Sequence, residues 1–245
     1  MKAPEKLFPA QFARCFDHTF LKPAGDAGAV RRLCAEAREW GFASVCVNPC
    51  EVARAARLLK GSEVKVCTVV GVPLGQSHAE TKAFEAVRAL RDGARELDFV
   101  VNVRLLKAAA GGGKTALRAL KEELALCAAV KGLPRAEGLP DPETATKLII
   151  ECCYLSDEEK TLACRLAREA GFDFVKTSTG FGPGGAVAED VKLMRRTVGR
   201  RMGVKAAGGI RTLADALVML RAGATRIGAS ASVSIMSEFV NLTLA

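Results

Sequence analysis

Two lysines end or interrupt apolar strand-like runs, where a soluble protein seldom places one. Lys176 closes the run Phe-Asp-Phe-Val-Lys, and Lys205 holds the matching place in Gly-Val-Lys-Ala-Ala-Gly-Gly. Period-two alternation sets Phe172, Phe174 and Lys176 on one face. A strand lysine ordinarily lies on a solvated edge, and the interior of a closed parallel barrel has no such edge. There, loss of hydration and a second ammonium both favour the neutral amine, the form that attacks a carbonyl to give a Schiff base. At roughly 4 Å and an effective dielectric of about 20, two ammonium groups repel by about 4 kcal/mol, equivalent to roughly three pKa units.

Asp98, in Glu-Leu-Asp-Phe-Val-Val-Asn, shares a face with Val100 and Asn102 and inside a barrel would look toward the lysines. A buried salt bridge with no chemical role is the competing reading. Asp17, beside His18 and Thr19, is a further candidate of the same kind. Three glycine-bearing segments follow strand-like runs: Thr-Ser-Thr-Gly-Phe-Gly-Pro-Gly-Gly after Lys176, Gly-Gly-Ile-Arg after Lys205, and Gly228 to Ser230. Glycines let backbone N–H groups approach a phosphate, and barrel phosphate sites are often built after strands seven and eight. Tight turns alone are the alternative.

Those residues need a scaffold, and the chain alternates short β-rich runs with helical periodicity throughout. Strands are expected at Phe16 to Leu21, Ala43 to Val47, Val64 to Val70, Leu97 to Asn102, Lys147 to Cys152, Phe172 to Lys176, Gly203 to Ala206 and Thr225 to Gly228. Between them, Val30, Leu33, Cys34 and Ala37 repeat at helical spacing, as do Leu213, Ala216, Leu217 and Leu220. Ser156 with Glu159 and Thr212 with Asp215 make capping pairs, and Gly41, Gly93, Gly171 and Gly223 end helices. The Pro/Gly-rich stretch from Gly132 to Thr146 reads as a surface loop between a helix and a strand. Eight units in 245 residues predict one α/β domain, a (β/α)8 TIM barrel spanning residues 1–245. A doubly wound open sheet is the competitor.

Composition narrows the chemistry. His18 and His78 are the sole histidines, so a histidine metal centre or a histidine-based serine triad has few parts to draw on. The nine cysteines show no CxxC pairs and read as buried thiols of a reducing compartment. No apolar run approaches the roughly 20 residues of a membrane helix, and the N-terminus carries no signal-peptide pattern. A cytoplasmic protein without membrane partners is expected. The net charge of +9 invites a nucleic-acid reading, but the basic residues are spread along helix faces and aromatics are only 5%. Anionic small substrates suit that charge.

The segments FVKTSTGFGPGGA, GVKAAGGIRT, ELDFVVNV and RIGAS, with DHTFLKP and TVVGVPLG before them, resemble the deoxyribose-phosphate aldolase family in order from about Phe16 onward. The pairing of KTSTGF with KAAGGIR is the specific part. The resemblance implies reversible cleavage of 2-deoxy-D-ribose 5-phosphate to acetaldehyde and D-glyceraldehyde 3-phosphate, with no metal and no organic cofactor. It implies that Lys176 forms the Schiff base, that Lys205 tunes it, and that Asp98 joins a proton relay. It also implies phosphate contacts at Gly180, Gly208, Gly209 and Ser230. Cys46, near the end of the second strand, is expected to line the substrate site rather than act as a nucleophile, and self-association into a homo-oligomer is compatible with this reading. Arg104, where the family usually has a small residue, and Ala231, where a second serine is common, depart from the pattern. Another sugar-phosphate barrel enzyme, an isomerase or decarboxylase, is the alternative in kind, followed by a basic nucleic-acid-binding protein.

Overall fold

A computed structural model describes residues 7–132 and 144–244. The parallel strands β1 (Phe16–Phe20), β2 (Ser44–Val47), β3 (Lys65–Val70), β4 (Glu96–Val100), β5 (Ala145–Ile149), β6 (Phe174–Lys176), β7 (Gly203–Ala207) and β8 (Arg226–Ala229) pair in sequence order. β8 returns to β1 and closes the barrel, which removes the open sheet from consideration. A short helix α1 (Pro9–Ala13) precedes β1, and α2 (Ala29–Trp40) and α3 (Val52–Leu58) follow β1 and β2. α4 (Ala79–Arg91) follows β3, while α5 (Val103–Ala110) and α6 (Lys114–Ala129) both follow β4. α7 (Asp157–Ala170), α8 (Ala188–Val198), α9 (Leu213–Ala222) and α10 (Ser232–Leu244) complete the ring. Most of the stretch between α6 and β5 expected to be a surface loop lies outside the described residues.

Capping chemistry sets several boundaries as the sequence suggests. Ser156 and Glu159 form a reciprocal capping box on α7, and Thr212 and Asp215 do so on α9. Gly41, Gly171 and Gly223 close their helices in the left-handed region, where the missing Cβ removes the steric cost.

The large apolar core lies between strands and helices. Outward residues Val45, Val66, Leu97, Phe99, Leu148, Val175, Val204 and Ile227 belong to it, together with the buried faces of the helices. Inside the barrel the apolar cluster of buried residues is small, formed by Cys46, Cys67 and Val69. Charged side chains fill much of the remaining interior, an arrangement that burial tolerates only if the charges pair. One expected side-chain direction changes: Phe172 precedes β6, and its ring meets Phe99 edge-on at 5.9 Å in the outer core. Alternation applies only where the strand exists, and β6 begins two residues later.

Candidate active site

β6 and β7 place Lys176 beside Lys205 in register, while β4 and β5 place Asp98 beside Lys147. All four side chains point inward. Asp98 Oδ2 accepts hydrogen bonds from Lys176 Nζ and Lys205 Nζ, each at 2.8 Å. Its other oxygen, Oδ1, accepts from Lys147 Nζ at 2.8 Å. Lys147 also meets Glu96 at 2.6 Å. Lys205 pairs with Asp17, and Arg226 spans Asp17 and Glu96 beneath it. Ser44 Oγ donates to Asp17 Oδ1 at 2.7 Å.

Small residues make room for these stems. A Cβ at Gly228 would lie 3.0 Å from Lys205 Cε, so glycine on β8 leaves the space that the lysine crosses. A Cβ at Gly203 would collide with the Phe174 ring at 2.2 Å. The Arg226 guanidinium stacks over that ring, 5.4 Å from its centre.

The electrostatics follow from burial and pairing. Burial is the largest influence on Asp98 and opposes its charge, but Lys147, Lys176 and Lys205 outweigh it and hold the carboxyl well below its ordinary range. Asp17 is depressed too: Arg226 and Lys205 overcome the same penalty. Lys205 is desolvated, yet Asp17 and Asp98 raise it above the ordinary lysine value. Lys147 is driven upward by Asp98 and its neighbours against the same desolvation. The repulsion between two ammonium groups expected from the sequence is therefore mediated in the structure by a carboxylate that both lysines touch.

A cavity of about 390 Å³ opens at the carboxyl ends of the strands. Of the charged interior network, Lys176 alone among the described residues reaches its wall, opposite Gly180, Gly208, Gly209 and Ser230. Gly180, Gly208 and Gly209 adopt φ of +91°, +90° and +78°, a region that side-chain-bearing residues rarely enter. The loops interlock: a Cβ on Gly185 would lie 2.2 Å from the Gly208 carbonyl oxygen, and the Ala186 N–H donates to that oxygen at 3.0 Å. Lys22 and Arg211 add positive charge to the cavity wall. A wider depression of about 510 Å³ lies at the amino ends of the strands, around Phe174 and Gly203, away from Lys176.

The expected site residues therefore separate into two groups. Lys176, Lys205 and Asp98 come together, and Gly180, Gly208, Gly209 and Ser230 share the cavity with Lys176. Asp17 and Cys46 are fully buried and do not line it. Arg104 borders a separate cavity of about 400 Å³ with Leu74 and Tyr154, and Ala231 packs against the core. Sequence reasoning passed over Lys147, Glu96 and Arg226, although each is a charged residue in a buried strand, the same signal that singled out Asp98.

Two buried groups, Cys46 with Cys67 and Asp98, and Asp17 with Cys67 and Glu96, bring potential metal-ligand atoms within 4.8 Å of one another. Their carboxylates already serve the surrounding lysines and Arg226, whose charge disfavours an added cation.

Residues 12–237 match the family described as DeoC/LacD family aldolase. A deoxyribose-phosphate aldolase of Caldanaerobacter subterraneus subsp. tengcongensis is 51% identical over 239 residues, covering 98% of this chain and 97% of the relative. One from Carboxydothermus hydrogenoformans is 52% identical over 231 residues, covering 94% and 96%. The tetrameric deoxyribose phosphate aldolase of Aeropyrum pernix superposes with a TM-score of 0.81 and 32% identity, covering 96% of this chain and 93% of its own. A closed barrel with a lysine at the cavity wall and a carboxylate shared behind it is thus joined to sequence kinship along almost the whole chain, and the protein belongs to the DeoC/LacD family of aldolases.

Proposed function

We propose that this chain is a deoxyribose-phosphate aldolase, acting as a single catalytic domain, that reversibly cleaves 2-deoxy-D-ribose 5-phosphate through a Schiff base on Lys176. The observation that carries this reading is the position of Lys176, at the cavity wall with Asp98 Oδ2 shared between it and Lys205. Counting Asp17, Glu96 and Asp98 against Lys147, Lys176, Lys205 and Arg226 gives three carboxylates and four basic groups. The basic groups outnumber the carboxylates by one. Among the described residues Lys176 has a single carboxylate partner, and it has the access that a nucleophile requires.

In the cleavage direction, the Lys176 amine adds to the C1 aldehyde of the open-chain sugar and water leaves, giving a protonated imine. Removal of the C3 hydroxyl proton lets the C2–C3 bond break, and its electron pair moves into the imine to form an enamine. C3 departs as the aldehyde carbon of glyceraldehyde 3-phosphate. Protonation of the enamine at C2 and hydrolysis then release acetaldehyde and regenerate the amine. Asp98 and Lys205 relay protons for these steps, and the glycine loops after β6, β7 and β8 receive the phosphate.

Borohydride reduction in the presence of acetaldehyde, followed by peptide mapping, tests the assignment. The expected adduct is on Lys176. An adduct on Lys205, or none with active enzyme, overturns it, and an isomerase or decarboxylase on this barrel would trap no acetaldehyde. The same assay in EDTA separates lysine chemistry from metal chemistry, because loss of activity with recovery on adding a divalent ion would contradict the imine route. The Aeropyrum relative is described as a tetramer, and light scattering on this protein measures its own assembly.

A further inference from the structure

We propose that Glu151 is a positioning residue that fixes the anion-recognising loop between β6 and α8. The proposal rests on the reading of the cavity as a sugar-phosphate site. Glu151 follows β5 and is 3% exposed. Among the described residues it is the one non-glycine residue with positive φ, at 56°. Residues with side chains rarely adopt that conformation, and such outliers persist where surrounding contacts impose them.

Glu151's own carbonyl accepts the Tyr154 N–H at 3.2 Å, while its side chain and the backbone on either side of it bond to the loop bearing Lys176. On either side of Glu151, the Ile150 N–H donates to the Lys176 carbonyl at 3.0 Å and the Cys152 N–H donates to the Thr177 carbonyl at 2.9 Å. The left-handed step at Glu151 turns its side chain beneath the next residues of that loop. Its Oε1 accepts the Thr179 N–H at 3.0 Å, and its Oε2 accepts the Thr179 hydroxyl. Thr179 Oγ1 in turn accepts the Phe181 N–H at 3.0 Å. Gly180, with φ of +91°, is therefore bracketed by two backbone N–H groups already committed to the Glu151–Thr179 pair. Thr179, Gly180 and Phe181 all line the cavity.

The charge of Glu151 makes a purely electrostatic role unreasonable. A carboxylate behind an anion-binding loop repels the anion, so its presence is explained by geometry: two acceptor oxygens that pull one N–H and one hydroxyl away from the cavity and set the path of the loop. Neither lysine of the catalytic pair bonds to it. The role therefore belongs to recognition of the phosphate end and leaves the imine-forming end largely independent.

The test compares Glu151→Gly, Glu151→Ala and Glu151→Gln with the unaltered enzyme on 2-deoxyribose 5-phosphate, on 2-deoxyribose, and in acetaldehyde trapping. Glycine removes the carboxylate and also relieves the positive φ, so it keeps the experiment readable if the alanine variant folds poorly. The expected result for the glycine variant is a KM for the phosphorylated sugar raised tenfold or more. Its trapping rate and its kcat/KM on the unphosphorylated sugar should change less than threefold. Glutamine retains one acceptor for the Thr179 N–H, and its KM should fall between those of the unaltered enzyme and the glycine variant. A preference for the phosphorylated sugar that is unchanged in Glu151→Gly overturns the proposal, as does an equal loss on both sugars and in trapping, the signature of general damage. If the unaltered enzyme itself shows no preference for the phosphorylated sugar, the phosphate reading fails, and that result is distinct from either outcome in the variants.

Discussion

Lys176 and Lys205 donate to the same oxygen of Asp98, each at 2.8 Å, although Lys205 also holds Asp17 and Lys176 meets no second carboxylate among the described residues. Replacing Lys205 by methionine removes one of the two cations that share this oxygen. Asp98 Oδ2 is then left to Lys176 alone, and the ammonium that neighbours the attacking amine is gone. Trapping by acetaldehyde and borohydride should slow at neutral pH and recover in part as the pH is raised, with kcat falling by about 10²–10⁴-fold through loss of the relay. Lys176→Met should abolish trapping. A pH series that superimposes for Lys205→Met and the unaltered enzyme would contradict the shared-oxygen account.

The loops around Gly180, Gly208 and Gly209 should supply much of the substrate affinity. A hydrogen bond to a charged group is worth about 1.5–3 kcal/mol, so losing two of them lowers kcat/KM by about a hundredfold or more. 2-Deoxyribose lacking phosphate is expected to be poorer by at least that factor. Gly209→Asp places a side chain at φ of +78° and a negative charge on the cavity wall, and should reduce turnover of the phosphorylated sugar most. Steady-state kinetics on both sugars measures this directly.

Stability should be flat across neutral pH and fall at both ends. Asp98 is depressed relative to its ordinary value of 3.8, so its contribution is complete above that pH and is lost as the pH falls from there toward the folded-state value. Lys205 is raised above 10.5, so its contribution is complete below that pH and is lost as the pH rises toward its folded-state value. Thermal melts from pH 3 to 12 should show a plateau between about 7 and 9, because His18, lowered from 6.5 by burial, and the buried thiols of Cys34 and Cys127, raised from 9.0 by burial, draw stability down outside it. A steep change in Tm within that plateau would mean that a different group governs stability.

Outside the barrel, Lys82 on α4 is fully buried and donates to Glu123 on α6 at 2.8 Å and to the Val100 carbonyl at 2.9 Å. Burial pushes the Glu123 carboxyl upward even with Lys82 beside it, a sign that desolvation weighs heavily on the pair. Glu123→Ala should cost about 3–5 kcal/mol by leaving a buried cation unpaired, whereas Lys82→Met combined with Glu123→Leu should be close to neutral. Urea denaturation of the three proteins distinguishes the outcomes, and equal losses in the single and double variants would count against the argument.

Local chemistry made much of this protein legible in its sequence. Alternation marks Lys176, Lys205 and Asp98 as inward residues because a strand sends successive side chains to opposite faces, whatever lies beyond it. Helical periodicity and the Ser156 and Thr212 capping pairs delimit elements for the same reason: the determining contacts lie within a few residues. What required tertiary structure was every relation across the barrel. Asp98 and Lys176 are 78 residues apart and meet only because closure and register bring β4 within reach of β6. The second carboxylate on Lys205, the arginine beneath Asp17 and the hold of Glu151 on Thr179 depend on the same closure. A sequence pattern reports which face a residue occupies, whereas the charge it experiences depends on which groups stand within a few ångströms, because electrostatic influence follows distance through space rather than separation along the chain.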